Sequence, residues 1–298
     1  MTWEDTFRTW GAAPSVAEQQ KMENTETAIR KAIKSNDRLA AMDITVIPQG
    51  SYRSRTNVRL DSDVDVAVRL NSTFFDRYPE GRTRADYGNS EGSITFQEFR
   101  NLVHVALEDY FGYEDITPGN KAFDVHSNSY RVDADVVPAL AYRYYYGDGY
   151  NNYIEPEGIA FLCGGDGQKI VNWPHQTYEN GKDKHDRTGQ RHRKVVRILK
   201  RLRNKMQDEK IASAKDIGSF LIESMVWNAP DGHFGNVNYH DDIRAVLAYC
   251  FNETLSTGSH ATLCEVNDRK YLFGVHQSWT RERAHDFFSG AWDYLGLK

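Results

Sequence analysis

The chain has only three cysteines, Cys163, Cys250 and Cys264, and none forms a CxxC pair. That scarcity argues against a disulfide framework and against a cysteine zinc site, and leaves buried thiols as the expected state. No apolar run approaches the about 18 residues that a membrane-spanning helix needs. The segment from Met1 to Ala13 carries Glu4 and Asp5 between Trp3 and Trp10, where a secretory leader would have an uninterrupted apolar stretch. A cytoplasmic protein without membrane association is expected. Excess positive charge is missing too: the formal net charge is −5. The surface as a whole is therefore no general polyanion binder, and any nucleotide site must rest on local positive charge. Internal repeats and low-complexity tracts are absent from the sequence.

The 298 residues are 40% hydrophobic and 12% aromatic. That is enough for a real core in one large domain or two small ones. Ser15 with Glu18 is a capping-box pattern, and Met22, Ile29 and Ile33 follow at helical spacing. They predict one long amphipathic helix from about Val16 to about Met42. Ile44 to Ile47 is a short β-prone run ending at Pro48-Gln49-Gly50-Ser51, and Val64 to Val68 is a second strand. Thr95 and Glu98 open another helix, whose apolar face is Phe96, Phe99, Leu102, Val103, Ala106 and Tyr110, with Gly112 at its C-cap. Ala122 to Val125 and Tyr130 to Val137 are expected to pair as strands, with Pro138 ending the second.

From about Gly158 helical patterns dominate, over Arg191 to Met206, Ser219 to Trp227, Ile243 to Leu255 and Arg281 to Leu295. The stretch from Gly164 to Gly189 is expected as a loop or weakly ordered connector. The predicted organisation is an α+β half over residues 1–157 and a helical half over 158–298, with a ligand cleft between them.

Asp63 and Asp65 alternate with Val64 and Val66. In a strand, residues two apart share a face, at about 3.3 Å rise per residue. Two carboxylates on one face repel unless a cation lies between them, and hard divalent ions prefer oxygen ligands. Arg131-Val-Asp133-Ala-Asp135 offers further acids on one face of another strand. Gly50 lacks a Cβ, so its backbone can approach a phosphate at positive φ, and Ser51 adds a hydroxyl and an N–H.

The segment from Arg191 to Lys205 has a buried side in Val195, Val196, Leu199 and Leu202. Arg193, Arg197 and Lys200 lie on an adjacent face. Three readings stand beside one another there: a triphosphate grip, a solvated basic face, and a duplex-binding surface. The aromatic cluster Tyr142-Arg-Tyr-Tyr-Tyr146 is either a platform for a base or an edge strand packed on its neighbours, and packing is the expectation. The histidines show no metal-ligand spacing.

Gly50-Ser51, Asp63-x-Asp65 and Asp135-Val-Val-Pro138 together resemble the signature of DNA polymerase β-like nucleotidyltransferases. Within that superfamily, Asn172-Trp-Pro-His-Gln with Lys184 and Thr188, Val196 to Lys200, and Ser219 to Glu223 are similar to the bacterial CD-NTases, which make cyclic oligonucleotides. The resemblance covers about residues 15 to 230. It implies a bilobed α+β fold, a mixed sheet with helices and a long N-terminal helix, plus a helical C-terminal lobe. It makes Asp63, Asp65 and Asp135 the metal triad for two Mg²⁺ ions, or Mn²⁺ in their place. Asp135 is preferred to Asp133 because the family's acid directly precedes hydrophobic-hydrophobic-Pro. Gln49, Gly50, Ser51, Lys200 and Ser219 would bind the nucleotide.

The implied activity is synthesis of a cyclic oligonucleotide second messenger from ATP and/or GTP with release of pyrophosphate. A purine cyclic dinucleotide such as cyclic GMP-AMP is expected, acting through a downstream effector in CBASS antiphage signalling, and the enzyme is expected to be a monomer. Arg55 departs from the family, which commonly has glycine before the threonine that Thr56 matches. The His/Cys zinc insertion of the animal DNA sensor has no counterpart, so activation by DNA is not implied. A single-transfer enzyme acting on an antibiotic, a tRNA or a protein is the competing activity. A catalytically inactive nucleotide- or RNA-binding protein is the non-enzymatic alternative.

Overall fold

Buried residues flanking half-buried Asp65 and Asp135 and exposed Asp124, in Val64-Asp65-Val66, Ala134-Asp135-Val136 and Phe123-Asp124-Val125, form the centre of a mixed sheet. The computed structural model describes residues 2–58, 63–147, 152–258, 260–275 and 277–297. In chain order its main elements are α1 (Trp3–Trp10), α2 (Val16–Ser35), α3 (Asp37–Ala40), β1 (Ile44–Gln49), α4 (Gly50–Ser54) and β2 (Val64–Arg77). Then come α5 (Phe96–Phe111), β3 (Ile116–Pro118), β4 (Phe123–Val125), β5 (Ala134–Tyr144), β6 (Gly158–Leu162) and β7 (Lys169–Asn172). The chain ends with α6 (Pro174–Arg187), α7 (His192–Asp208), α8 (Ser219–Asn228), α9 (Tyr239–Glu253) and α10 (Arg281–Tyr294).

Two compact units divide the chain. A sheet unit holds Ser15–Arg53 and Ser62–His175; a helical unit holds Met1–Pro14, Ser54–Asp61 and Gln176–Lys298. The expected division into 1–157 and 158–298 falls elsewhere because β6 and β7 belong to the sheet: β6 pairs with β5, and β7 with β6.

In the sheet unit the strand order is β1-β2-β5-β4-β3, with β6 and β7 continuing from β5. Among the described residues only β2 and β5 run parallel; the other pairings are antiparallel. Helices α2 and α5 bury Ile29, Ile33, Phe99, Val103 and Leu107 in one core with Val64, Val66 and Val136. The long helix expected to reach Met42 stops at Ser35. Asn36 adopts an extended conformation and its side chain accepts the N–H of Leu39, starting α3 afresh.

Pro138 does not end β5, which continues to Tyr144. Proline is tolerated because β4 stops pairing at Val136 and β6 begins at Leu140, so Pro138 lies in the gap between two neighbours on that flank. Arg131 and Asp133 precede the strand instead of sharing its face with Asp135. Arg131 pairs with Asp115 at 2.6 Å, and Asp133 accepts the N–H of Ser127. The tyrosine cluster packs as expected, with Tyr142 edge-on to Trp173 and Tyr145 stacked on Tyr78. Its strand, however, is central rather than at an edge.

The helical unit is held by Val195, Leu199 and Leu202 of α7 against Leu221, Met225, Val246, Phe287 and Phe7. Phe7 comes from α1, a helix opened by a Thr2–Asp5 capping box. The expected connector from Gly164 to Gly189 instead contains β7 and α6. Helix α6 lacked an apolar signature because it buries Gln176, Gly181, Lys184 and His185. Burial is possible because the Lys184 ammonium donates to the Ala229 carbonyl and pairs with Asp231. No helix among the described residues is long and apolar enough to cross a membrane.

Candidate active site

The sheet unit assembles its acids by register. Gln49 is opposite Asp65, Asp65 opposite Asp135, Asp135 opposite Asp124, and Asp124 opposite Thr117. Directly opposed residues lie on the same face of a sheet, so these five form one polar row above buried valines. Asp63 immediately precedes β2, where the N–H of Val64 bonds to the carbonyl of Asp133 at 3.0 Å. The triad Asp63, Asp65 and Asp135 thus belongs to one small region of one unit.

The electrostatics are those of crowded carboxylates. Burial, a hydrogen bond with Asp124, and the charges of Asp65, Asp124 and Asp63 push the Asp135 carboxyl up to about 7. Near neutral pH, then, Asp135 and its neighbours hold a proton where a cation would relieve the same repulsion. Hard oxygen donors under mutual repulsion fit a divalent ion in chemistry. As they stand, though, no three His, Cys, Asp or Glu groups among the described residues gather closely enough to hold a metal.

Gly50 follows β1 with φ +61°, a conformation that glycine alone adopts without cost. A Cβ placed there would collide with the Asp65 carboxylate. The turn that presents Ser51 is therefore packed directly on the acid row. Ser51 is the second residue of α4, half-buried, and Gln49 is the last residue of β1.

The remaining two predicted residues belong to the helical unit. Ser219 opens α8, is exposed, and accepts from Arg203 Nη2 at 3.0 Å. The free N–H groups of a helix start suit a phosphate. Lys200 is different. It is 2% exposed, and its ammonium donates to Glu223 at 2.8 Å and to Thr56 Oγ1 at 3.1 Å. Thr56 Oγ1 in turn donates to Glu223 at 2.7 Å. In this arrangement Lys200 is committed to the segment that follows α4, and a direct phosphate contact would require it to leave that network.

Sequence reasoning missed Asp124. Its signal was present, an acid between buried Phe123 and Val125 in a strand expected to pair with the Asp135 strand, but the register that opposes it to Asp135 was not legible. The Thr56–Glu223 contact was likewise hidden, since it joins positions 167 residues apart.

Comparison with known proteins identifies the family. Residues 179–296 match the model of the cGAS/DncV-like nucleotidyltransferase C-terminal helical domain. The cyclic dipyrimidine nucleotide synthase CdnE of Legionella pneumophila is 41% identical over 295 residues, 98% of each chain. The enzyme of that name from Cecembia lonarensis is 34% identical over 293 residues, again 98% of each chain. The structure of Rhodothermus marinus CdnE c-UMP-AMP synthase with Apcpp and Upnpp superposes with a TM-score of 0.87 at 28% identity, covering 98% of this chain and 96% of that one. The α+β fold is the polymerase β-like one of these enzymes. With its acid row, its glycine turn and this likeness along nearly the whole length, the chain belongs to the bacterial CD-NTases, the cGAS/DncV-like nucleotidyltransferases that synthesise cyclic oligonucleotides.

Proposed function

We propose that this enzyme joins two nucleoside triphosphates into a cyclic dinucleotide by two successive transfers, and that pyrimidine nucleotides are among its substrates. The observation that carries the chemistry is the row Gln49–Asp65–Asp135–Asp124 with Gly50 packed on Asp65. The pyrimidine choice is supported by the dipyrimidine synthases at 41% and 34% identity. The sequence alone had pointed to a purine pair such as cyclic GMP-AMP.

In each transfer a ribose hydroxyl oxygen bonds to the α-phosphorus of a triphosphate, that of the second nucleotide in the first transfer and that of the linear intermediate itself in the second. The bond from that phosphorus to the bridging oxygen breaks, pyrophosphate leaves, and the hydroxyl proton passes to solvent. Asp63, Asp65 and Asp135 would hold Mg²⁺, which when bound supplies charge stabilisation to the attacking and leaving oxygens. Ser51 and the backbone at Gly50 hold phosphate oxygens. In the helical unit, Ser219 offers a phosphate its hydroxyl and the free N–H groups at the start of α8. Gln49, at the end of the row, orients the donor nucleotide. Lys200 holds Thr56 directly and through Glu223. The product would signal to a downstream effector in antiphage defence.

Incubation with Mg²⁺ and each α-³²P-labelled nucleoside triphosphate in turn, the other three unlabelled, tests the substrate choice. Label from UTP or CTP in the phosphatase-resistant product is the expected result. Label from ATP and GTP alone would return the enzyme to purine synthesis.

A further inference from the structure

The helical unit contains a buried cation with no anion. Arg193, on the first turn of α7, is 9% exposed. Its Nε and Nη2 are buried and make no hydrogen bond. A buried guanidinium without partners is costly, and the start of a helix is the wrong end for a cation. The first turn of α7 has no acidic residue to offset this.

Its surroundings repeat the pattern. Arg197, one turn further along the same helix, is held by carbonyls: its Nε and Nη2 donate to Gly11 at 2.9 and 2.7 Å, and its Nη1 donates to Arg55 at 2.7 Å. That grip fixes the backbone of Arg55, which has φ +56°, a strained conformation for a residue with a Cβ. The Arg55 side chain is exposed, and its charge acts on Arg193. His185, whose Nδ1 accepts the N–H of Arg193, is kept neutral by burial and the nearby guanidinium groups, which push it down to about 4. Three groups favour the charged form of Arg193, Tyr178, Asp186 and Glu223, and the two carboxylates among them are occupied elsewhere: Glu223 with Lys200 and Thr56, and Asp186 with Gln190 and Lys182.

We propose that Arg193 and Arg55 form a phosphate-binding pair that takes the triphosphate of a nucleotide bound by this enzyme. Once the ligand draws its buried Nε and Nη2 into reach, the planar fork of Arg193 gives two parallel donors to phosphate oxygens, a geometry that lysine cannot match, and Arg55 adds charge from the segment that Arg197 pins. Of the basic residues that the sequence placed on one face of α7, Arg193 is thus the one with donors still to give, whereas Lys200 and Arg197 spend theirs on the protein. A triphosphate is carried both by the incoming nucleotide and by the linear intermediate, and the pair would serve either. The proposal rests on the nucleotidyltransferase activity only for the identity of the ligand; the unpartnered cation stands without it.

The test uses the full chain and three probes: sodium tripolyphosphate, UTP, and the linear dinucleotide pppUpU. Tripolyphosphate should raise the wild-type melting temperature, because it binds only the folded state. In Arg193→Gln that rise should vanish, and UTP affinity should fall about tenfold or more, the loss expected for two charge-assisted hydrogen bonds. Arg193→Lys should recover only part of it. Arg55→Gln changes an exposed side chain, leaves folding intact and should also weaken binding. Loss of UTP binding assigns the pair to the incoming nucleotide; loss confined to cyclisation of pppUpU assigns it to the intermediate. Binding and cyclisation within twofold of wild type in both variants would overturn the proposal. If wild-type protein made no product from any nucleotide yet tripolyphosphate stabilised it through Arg193, the catalytic reading would fail and the anion site would stand.

Discussion

Replacing Gly50 by alanine perturbs two things at once, and the structure separates them. At φ +61° any residue with a Cβ costs about 1–2 kcal/mol, which should lower Tm by a few degrees. That is a modest loss for a chain of this size. The second effect falls on chemistry. The new methyl would occupy the space of the Asp65 carboxylate, and ordinary contact needs about 3.5 Å between heavy atoms. Asp65 must therefore move by more than about 1 Å, a displacement that costs on the order of 100-fold in rate when it misplaces a reacting group. The assay is pyrophosphate release under saturating nucleotide, run beside a thermal melt. The expected outcome is a folded protein with a Tm only slightly reduced and activity down by about 100-fold. A variant with activity within a few-fold of wild type would refute the packing of the glycine turn on the acid row.

Other outcomes follow from the same geometry. Asp124→Asn keeps a hydrogen-bonding partner for Asp135 but removes one charge; it should raise the Mg²⁺ concentration needed for half-maximal rate several-fold, and an unchanged Mg²⁺ titration would detach Asp124 from the site. Lys200→Met leaves buried Glu223 without its cation and should cost about 3–5 kcal/mol in urea unfolding. The double change Lys200→Met with Glu223→Leu should recover most of that, and a single-variant loss below about 1 kcal/mol would place the pair outside the folding core. Asp135 titrates at about 7 in the fold against 3.8 ordinarily. The metal-free fold therefore keeps a proton that the unfolded chain has released. The stability this confers is complete below about pH 4 and is lost as pH rises through about 7. Melts of metal-free wild type should decline over that window relative to Asp135→Asn, and Mg²⁺ should restore the wild type at pH 8. Parallel curves would mean that the carboxylates do not crowd.

Local signals in the sequence were sufficient for much of this. The capping boxes at Ser15 and Thr95 start helices where they were expected, and α7 through α10 follow the apolar periodicity that announced them. The alternation around Asp65 and Asp135 put both acids on the face opposite the buried valines, where they are half-buried. What failed depended on partners far away in the chain. Pro138 looked like a strand end because the gap between β4 and β6 that tolerates it is a property of the assembled sheet. Helix α6 looked like a loop because its buried face is polar, made acceptable by Ala229 and Asp231 more than 40 residues downstream. Asp124 entered the acid row only through register. Lys200 and Arg193 looked alike as basic residues on one face, and only their partners, Glu223 and Thr56 for the first and none for the second, tell their tasks apart.

The central claim is that the acid row on β2 and β5 drives two transfers that close a ring. The measurement that bears on it most directly is the mass of the phosphatase-resistant product formed from the four nucleoside triphosphates with Mg²⁺, compared between wild type and Asp65→Asn. The account predicts a mass equal to two nucleoside monophosphates less two waters from the wild type, with two pyrophosphates released per ring, and no such species from the folded variant. A product that phosphatase degrades completely, or an Asp65→Asn protein that makes the ring at the wild-type rate, would contradict it.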